Sequence, residues 1–195
     1  MSGAVTSLRH RNLGFLLTPD MGNAIPDDVP VAADNGCFTK PAGYTDERYA
    51  EHLRRFPHNR TLFATAPDVL GDHDATVERS TPILRLIRSL GLPAAFVAQD
   101  GWDNETTPWG ELDCIFVGGS TEFKFRGGRE AVAAAKRRGK WAHMGRVNSL
   151  ERLRAAKSIG CDSADGTFLR FGPDVNGPRL TRWLDAMDAQ PEMAL

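Results

Sequence analysis

Five short apolar runs, each ending on a cluster of polar residues or glycines, constrain this 195-residue chain more than any other feature. They read Val31-Ala32-Ala33-Asp34-Asn35-Gly36, Leu62-Phe63-Ala64-Thr65-Ala66-Pro67-Asp68, Phe96-Val97-Ala98-Gln99-Asp100-Gly101, Cys114-Ile115-Phe116-Val117-Gly118-Gly119-Ser120 and Gly160-Cys161-Asp162-Ser163-Ala164-Asp165. Short apolar runs bounded by turn residues are the signature of strands buried on both faces, as in parallel sheets. The carboxyl ends of parallel strands share one face, where barrels and open α/β sheets keep their chemistry. Three carboxylates, one carboxamide and a glycine pair at such ends point to a site.

The rest of the chain fits that reading. Strands are expected at 12–18, 29–33, 61–66, 94–98, 113–117, 141–144 and from 160, with an eighth at 168–171. Helices are expected from the Thr45 N-cap to before Pro57, over 74–90 on a stripe of Val77, Ile83, Leu84, Ile87 and Leu90, and over 128–138. Two more are expected at 149–158 and 178–187. Strands alternating with crossover helices build right-handed βαβ units. The expected fold is one α/β domain over 1–195, with its core at about 12–188. It is a compact (β/α)8-type TIM barrel lacking some peripheral helices, because the usual barrel takes about 250 residues. A doubly wound open sheet is the alternative, although no GxGxxG or Walker loop supports a nucleotide-binding version.

Composition excludes several classes. Hydrophobic residues at 41% and charged residues at 25% describe a globular protein. No run of apolar residues is long enough for a membrane span, and no secretory leader pattern opens the chain, so a cytoplasmic setting is expected. Cys37, Cys114 and Cys161 are scattered without a CxxC pair, against a zinc or disulfide framework. A net charge of −1 hides eleven basic residues between Lys124 and Lys157, opposed only by Glu130 and Glu151. Such a block is either a polyanion surface, with Lys124, Arg126, Lys136, Arg137, Arg138, Lys140 and Arg146 as its phosphate contacts, or a pair of solvated helix faces.

In order and spacing these segments resemble the tRNA-guanine transglycosylase family, most closely its compact relatives that place 7-deazaguanine bases in DNA. The resemblance runs from about Asn12 to Arg170. Asp34-Asn35-Gly36-Cys37-Phe38 is similar to the family's Asp-Ser-Gly-Gly-Phe/Tyr, and Asp68 to its base-reading aspartate. Phe96-Val97-Ala98-Gln99-Asp100-Gly101 is similar to its Gly-Ile-x-Gln-Gly, and Val117-Gly118-Gly119 to its Val-Gly-Gly. Ala142-His143-Met144-Gly145, a helix, and then Gly160 to Asp165 are similar to its Tyr-Leu-Met-Gly, helix and Gly-x-Asp-x-Phe-Asp.

The resemblance implies exchange of guanine in a polynucleotide for a 7-deazaguanine such as preQ0, which is a co-substrate; no other cofactor or metal is implied. It assigns Asp165 as nucleophile, Asp34 to proton transfer, Asp68 and Gln99 to hydrogen bonds with the purine, and Gly118 and Gly119 to close backbone approach. Asp162 rivals Asp165, three residues away. The family's CxCxxC zinc motif and tRNA-gripping insertions are absent, which favours DNA over tRNA. Free base and DNA are the expected partners, and a second copy of the chain could complete the basic surface.

Each residue also has a plainer role. Asp34 could close a turn at Asn35-Gly36, Asp68 could cap the following helix, and Asp72-His73-Asp74 reads better as a cap than as a metal site. Cys161 suits the core, His143 suits the core or could face the site, and Trp102 and Trp109 suit packing as well as base stacking. Two functional rivals remain: a metal-dependent hydrolase using Asp34, Asp68, His73 and His143, and a base-binding protein without catalysis.

Overall fold

The computed structural model describes residues 8, 10–21, 27–38 and 41–189. Among these residues seven strands form one sheet: β1 (Phe15–Leu17), β2 (Val31–Ala33), β3 (Thr61–Thr65), β4 (Ala94–Ala98), β5 (Cys114–Val117), β6 (Trp141–Met144) and β7 (Ser163–Ala164). All pairings are parallel and follow sequence order from β1 to β7. A doubly wound sheet reverses its strand order at a switch point; here there is none. The sheet instead curls into a half-barrel.

Six helices accompany the strands among the described residues: α1 (Asp46–Arg54), α2 (His73–Ser89), α3 (Thr121–Phe125), α4 (Gly127–Arg137), α5 (Leu150–Ser158) and α6 (Pro173–Asp188). Side-chain caps set four of their starts: Thr45 accepts from Arg48 N, Asp72 from Ala75 N, Ser120 from Phe123 N and Ser149 from Arg152 N. Gly91, at φ +76°, follows the end of α2 with a backbone conformation that glycine adopts without strain.

Successive strand residues point to opposite faces of the sheet. One set, including Val31, Ala33, Ala64, Phe96, Ala98, Ile115, Val117 and Met144, packs outward on Leu53, Leu84, Ile87, Val132 and Ala135 of the helices. The other set faces the concave interior, where Ala32, Phe63, Ala95 and Cys114 pack with Leu16 and Phe116. Small residues dominate both sets in β2 to β4, which lets helices and strands approach closely.

Two expectations are corrected. Residues 168–171 form no eighth strand; Phe168–Arg170 is a 3-10 turn. Its Leu169 packs on Phe15 and Val29, so side chains from beyond β7 reach the β1 edge without strand pairing. Contacts of α6 with the chain before β1 do the same: Asp188 accepts from Arg11 at 2.7 Å and from Asn12 at 2.7 Å. The closing helix begins at Pro173, earlier than expected, because proline suits a first helical turn. No described helix is long and apolar enough to cross a membrane.

Candidate functional site

At the carboxyl ends of the strands the interior alternation runs two residues further, into polar groups. Ala32 leads to Asp34, Phe63 to Thr65, Val97 to Gln99, Phe116 to Gly118, His143 to Gly145 and Ser163 to Asp165. Asp34, Thr65, Gln99, Gly118, Gly145 and Asp165 all line one cavity of about 110 Å³, together with Asp68, Gly119, Lys124 and Arg146. All six residues named from the sequence for catalysis and base binding therefore meet at one place. Gly118 is needed there sterically, since a Cβ would sit 2.6 Å from Val97 Cγ1 and 3.0 Å from Gln99 Nε2.

Asp68 and Gln99 form the buried floor, 4% and 1% exposed. The Gly71 N–H donates to Gln99 Oε1 at 3.0 Å, which fixes the amide so that Nε2 faces and donates to the Asp68 carboxylate. Among the described residues, the second Nε2 hydrogen and the other Asp68 oxygen have no side-chain partner. Burial pushes Asp68 up to about 6, against the opposing Gln99 hydrogen bond. Asp68 caps no helix; Asp72 does that. Thr65 Oγ1, also buried, has no hydrogen-bond partner among the described residues.

Asp34 serves both roles considered for it. Its Oδ1 accepts from Gly36 N at 2.8 Å in a tight turn, with Gly36 at φ +75°, and it still borders the cavity. Burial raises its pKa, the nearby Asp165 adds to that, and the Gly36 N–H and Arg146 oppose it. Asp165 is held at both oxygens: Oδ2 lies 3.1 Å from His143 Nε2, and Oδ1 accepts from Arg146 N at 3.3 Å. Arg146 sits at φ +61°, a left-handed conformation costly for a side chain of this size. Asp162 lies at the other end of β7, where it accepts from Lys136 at 2.7 Å and from Ala142 N at 2.8 Å. The cavity therefore takes Asp165 and not Asp162.

The basic block divides. Lys124 is 7% exposed, donates to Gly145 O at 2.8 Å and lines the cavity. Burial, reinforced by Arg146, lowers it to about 8. Lys124 and Arg146 also border a neighbouring cavity of about 730 Å³ lined by Ser120, Thr121, Asn148 and Arg152. Arg126 pairs with Glu122 one turn back on the surface. Lys136 and Arg137 end α4 and Arg138 and Lys140 follow it; its eleven residues span ~16 Å at 1.5 Å per residue and run antiparallel to the strands. These basic residues therefore lie at the amino ends, where Lys140 donates to Leu112 O and Arg138 stacks over Trp109.

Other residues stay apart from the cavity. His73 bonds Thr106 at 2.9 Å and packs edge-on to Phe96, so it does not join Asp34, Asp68 and His143. No three His, Cys, Asp or Glu side chains among the described residues are grouped to hold a metal ion. Trp102 packs against the core, and Trp109 donates to Asn104 O. Burial pushes Cys161 up to about 12, unsuited to a nucleophile. Sequence reasoning passed over Thr65 and the place of Lys124 in the cavity lining; the period-two alternation carries the signal for Thr65, and nothing in the local sequence marks Lys124. No family model matches the chain and no curated protein matches it, so the chemistry of these groups is the ground for a functional reading.

Proposed function

We propose that this protein is a guanine transglycosylase that exchanges guanine in a polynucleotide, DNA in preference to tRNA, for a 7-deazaguanine base such as preQ0. The observation that carries the reading is the convergence of Asp34, Asp68, Gln99 and Asp165 with the Gly118-Gly119 backbone on one small cavity. In this reading the half-barrel is a (β/α)8-type barrel short of its eighth unit, with the chemistry at the carboxyl face. The motif order that resembles the transglycosylases supports it.

A guanine extruded from the strand enters the cavity. Its N–H donors meet the other oxygen of Asp68, and its carbonyl oxygen meets the second Nε2 hydrogen of Gln99. Asp165 attacks C1′ through an oxocarbenium-like state, forming a C1′–O ester as the C1′–N9 bond breaks. Asp34, with its pKa raised by burial, gives its proton to the departing guanine. The incoming base then loses its ring N–H proton to the Asp34 carboxylate. Its nitrogen bonds to C1′ as the ester breaks, and Asp165 is regenerated. Lys124, Arg146 and Arg152 border the wider cavity and hold the flanking phosphates.

Labelled guanine incubated with the protein and either guanine-containing DNA or tRNA tests the reading. Label is expected in DNA, and Asp165→Ala abolishes it. Label in tRNA alone overturns the substrate assignment; label in neither overturns the activity.

A further inference from the structure

His143 lies beneath the cavity floor and is 4% exposed. Its ring is wedged between Phe63 at 4.9 Å and Phe116 at 4.6 Å, inside the concave face. A histidine in such apolar company needs its nitrogens satisfied, and both are. Nδ1 lies 2.7 Å from Ser163 Oγ, and Nε2 lies 3.1 Å from Asp165 Oδ2. Ser163 Oγ in turn accepts from the Trp141 indole N–H at 2.9 Å. An indole nitrogen only donates, so the Ser163 hydroxyl proton is free to point at Nδ1. That leaves the proton of a neutral imidazole on Nε2, facing a carboxylate that can only accept. The chain Trp141–Ser163–His143–Asp165 is consistent in direction from end to end.

We propose that His143 is a positioning residue for Asp165, fixing its rotamer and tuning it as a leaving group. The proposal rests on the reading of Asp165 as nucleophile. A donor to Asp165 Oδ2 stabilises the free carboxylate more than the ester, because the ester oxygens carry less charge. The hydrogen bond therefore weakens as the covalent intermediate forms and strengthens as it breaks down. It favours release of Asp165 in the second half of the exchange, where a bare carboxylate in a buried site would leave slowly. Ser163 holds the tautomer that makes this possible.

The test is the fraction of protein carried as covalent adduct with guanine-containing DNA, at fixed DNA and free guanine, read on denaturing gels. His143→Leu keeps an apolar side chain between Phe63 and Phe116 and removes the donor. It is expected to raise the adduct-to-free ratio about tenfold, the scale of one hydrogen bond to a charged group, with KM for DNA unchanged. His143→Gln, whose amide N–H can take the place of Nε2–H, is expected to restore most of the wild-type ratio. Ser163→Ala is expected to shift the ratio in the same direction by about threefold, and serves if the leucine variant does not fold. Nitrogen NMR of the wild-type protein is expected to show Nε2 protonated and Nδ1 bare. An unchanged ratio in His143→Leu, equal slowing of both half-reactions without rescue by Gln, or a proton on Nδ1 alone each overturns the role. No adduct in the wild type instead overturns the transglycosylase reading, and the role with it.

Discussion

The two ends of the same sheet treat their charges in opposite ways. At the amino ends, Asp113 precedes β5 and accepts from Ala94 N at 2.9 Å, while Asp162 precedes β7 and accepts from Ala142 N at 2.8 Å. Each aspartate satisfies a backbone N–H of the neighbouring strand, and each has a cationic neighbour, Arg88 or Lys136. At the carboxyl ends, Asp34 and Asp68 are raised by burial and Lys124 is lowered by it. Aspartates before strands complete the sheet. Asp34 and Asp68, after theirs, are instead held away from water, which costs stability and, in the proposed reading, serves a ligand.

Substitutions at the two ends can break that contrast. The largest effect is expected from Asp165→Ala, which should cut exchange more than about a thousandfold, as loss of a nucleophile does, with the fold retained by circular dichroism. Asp68→Asn should lower exchange about a hundredfold and yet stabilise the protein at neutral pH. A folded-state pKa of about 6, above the ordinary 3.8, means the folded protein holds this proton while the unfolded chain has lost it. Stability from this group is therefore present at low pH and is lost as pH rises through that window, by at most about 3 kcal/mol. Denaturant titrations at pH 4 and pH 7 should show that loss in the wild type and not in Asp68→Asn.

Gly118→Ala should cost about 1–3 kcal/mol by crowding Val97 and Gln99, and should reduce exchange about tenfold on the scale of a displaced hydrogen bond. The smallest effect is expected at the amino end. Asp162→Asn should cost no more than about 1 kcal/mol, the worth of a half-exposed ion pair, and leave exchange untouched. A loss of exchange there would erase the distinction between the ends.

Much of this was legible in the chain. β4 and β6 fall on the residues expected, because short, mainly apolar runs between turn residues admit few other readings, and the caps at Thr45 and Ser149 fix α1 and α5. The helix α3 was not foreseen: five residues give no periodicity, and two of them carry charge. Residues 168–171 look like a strand by composition but form a 3-10 turn, which sends Leu169 against Phe15 and Val29 beside the unpaired β1 edge. The six site residues stood out as polar ends of buried strands. Lys124 did not, because its burial depends on the distant carbonyl of Gly145. Lys136 to Lys140 lie near Lys124 in sequence but not in space, because the length of α4 carries them to the other end of the sheet.

The most direct measurement is to trap the protein with guanine-containing DNA under denaturing conditions and map the attached residue by peptide mass spectrometry. A sugar-linked ester on Asp165, absent from Asp165→Ala and still present in Asp162→Asn, is the predicted result. Exchange without any protein–DNA bond, or a bond at Asp34 or Asp162, would contradict the account.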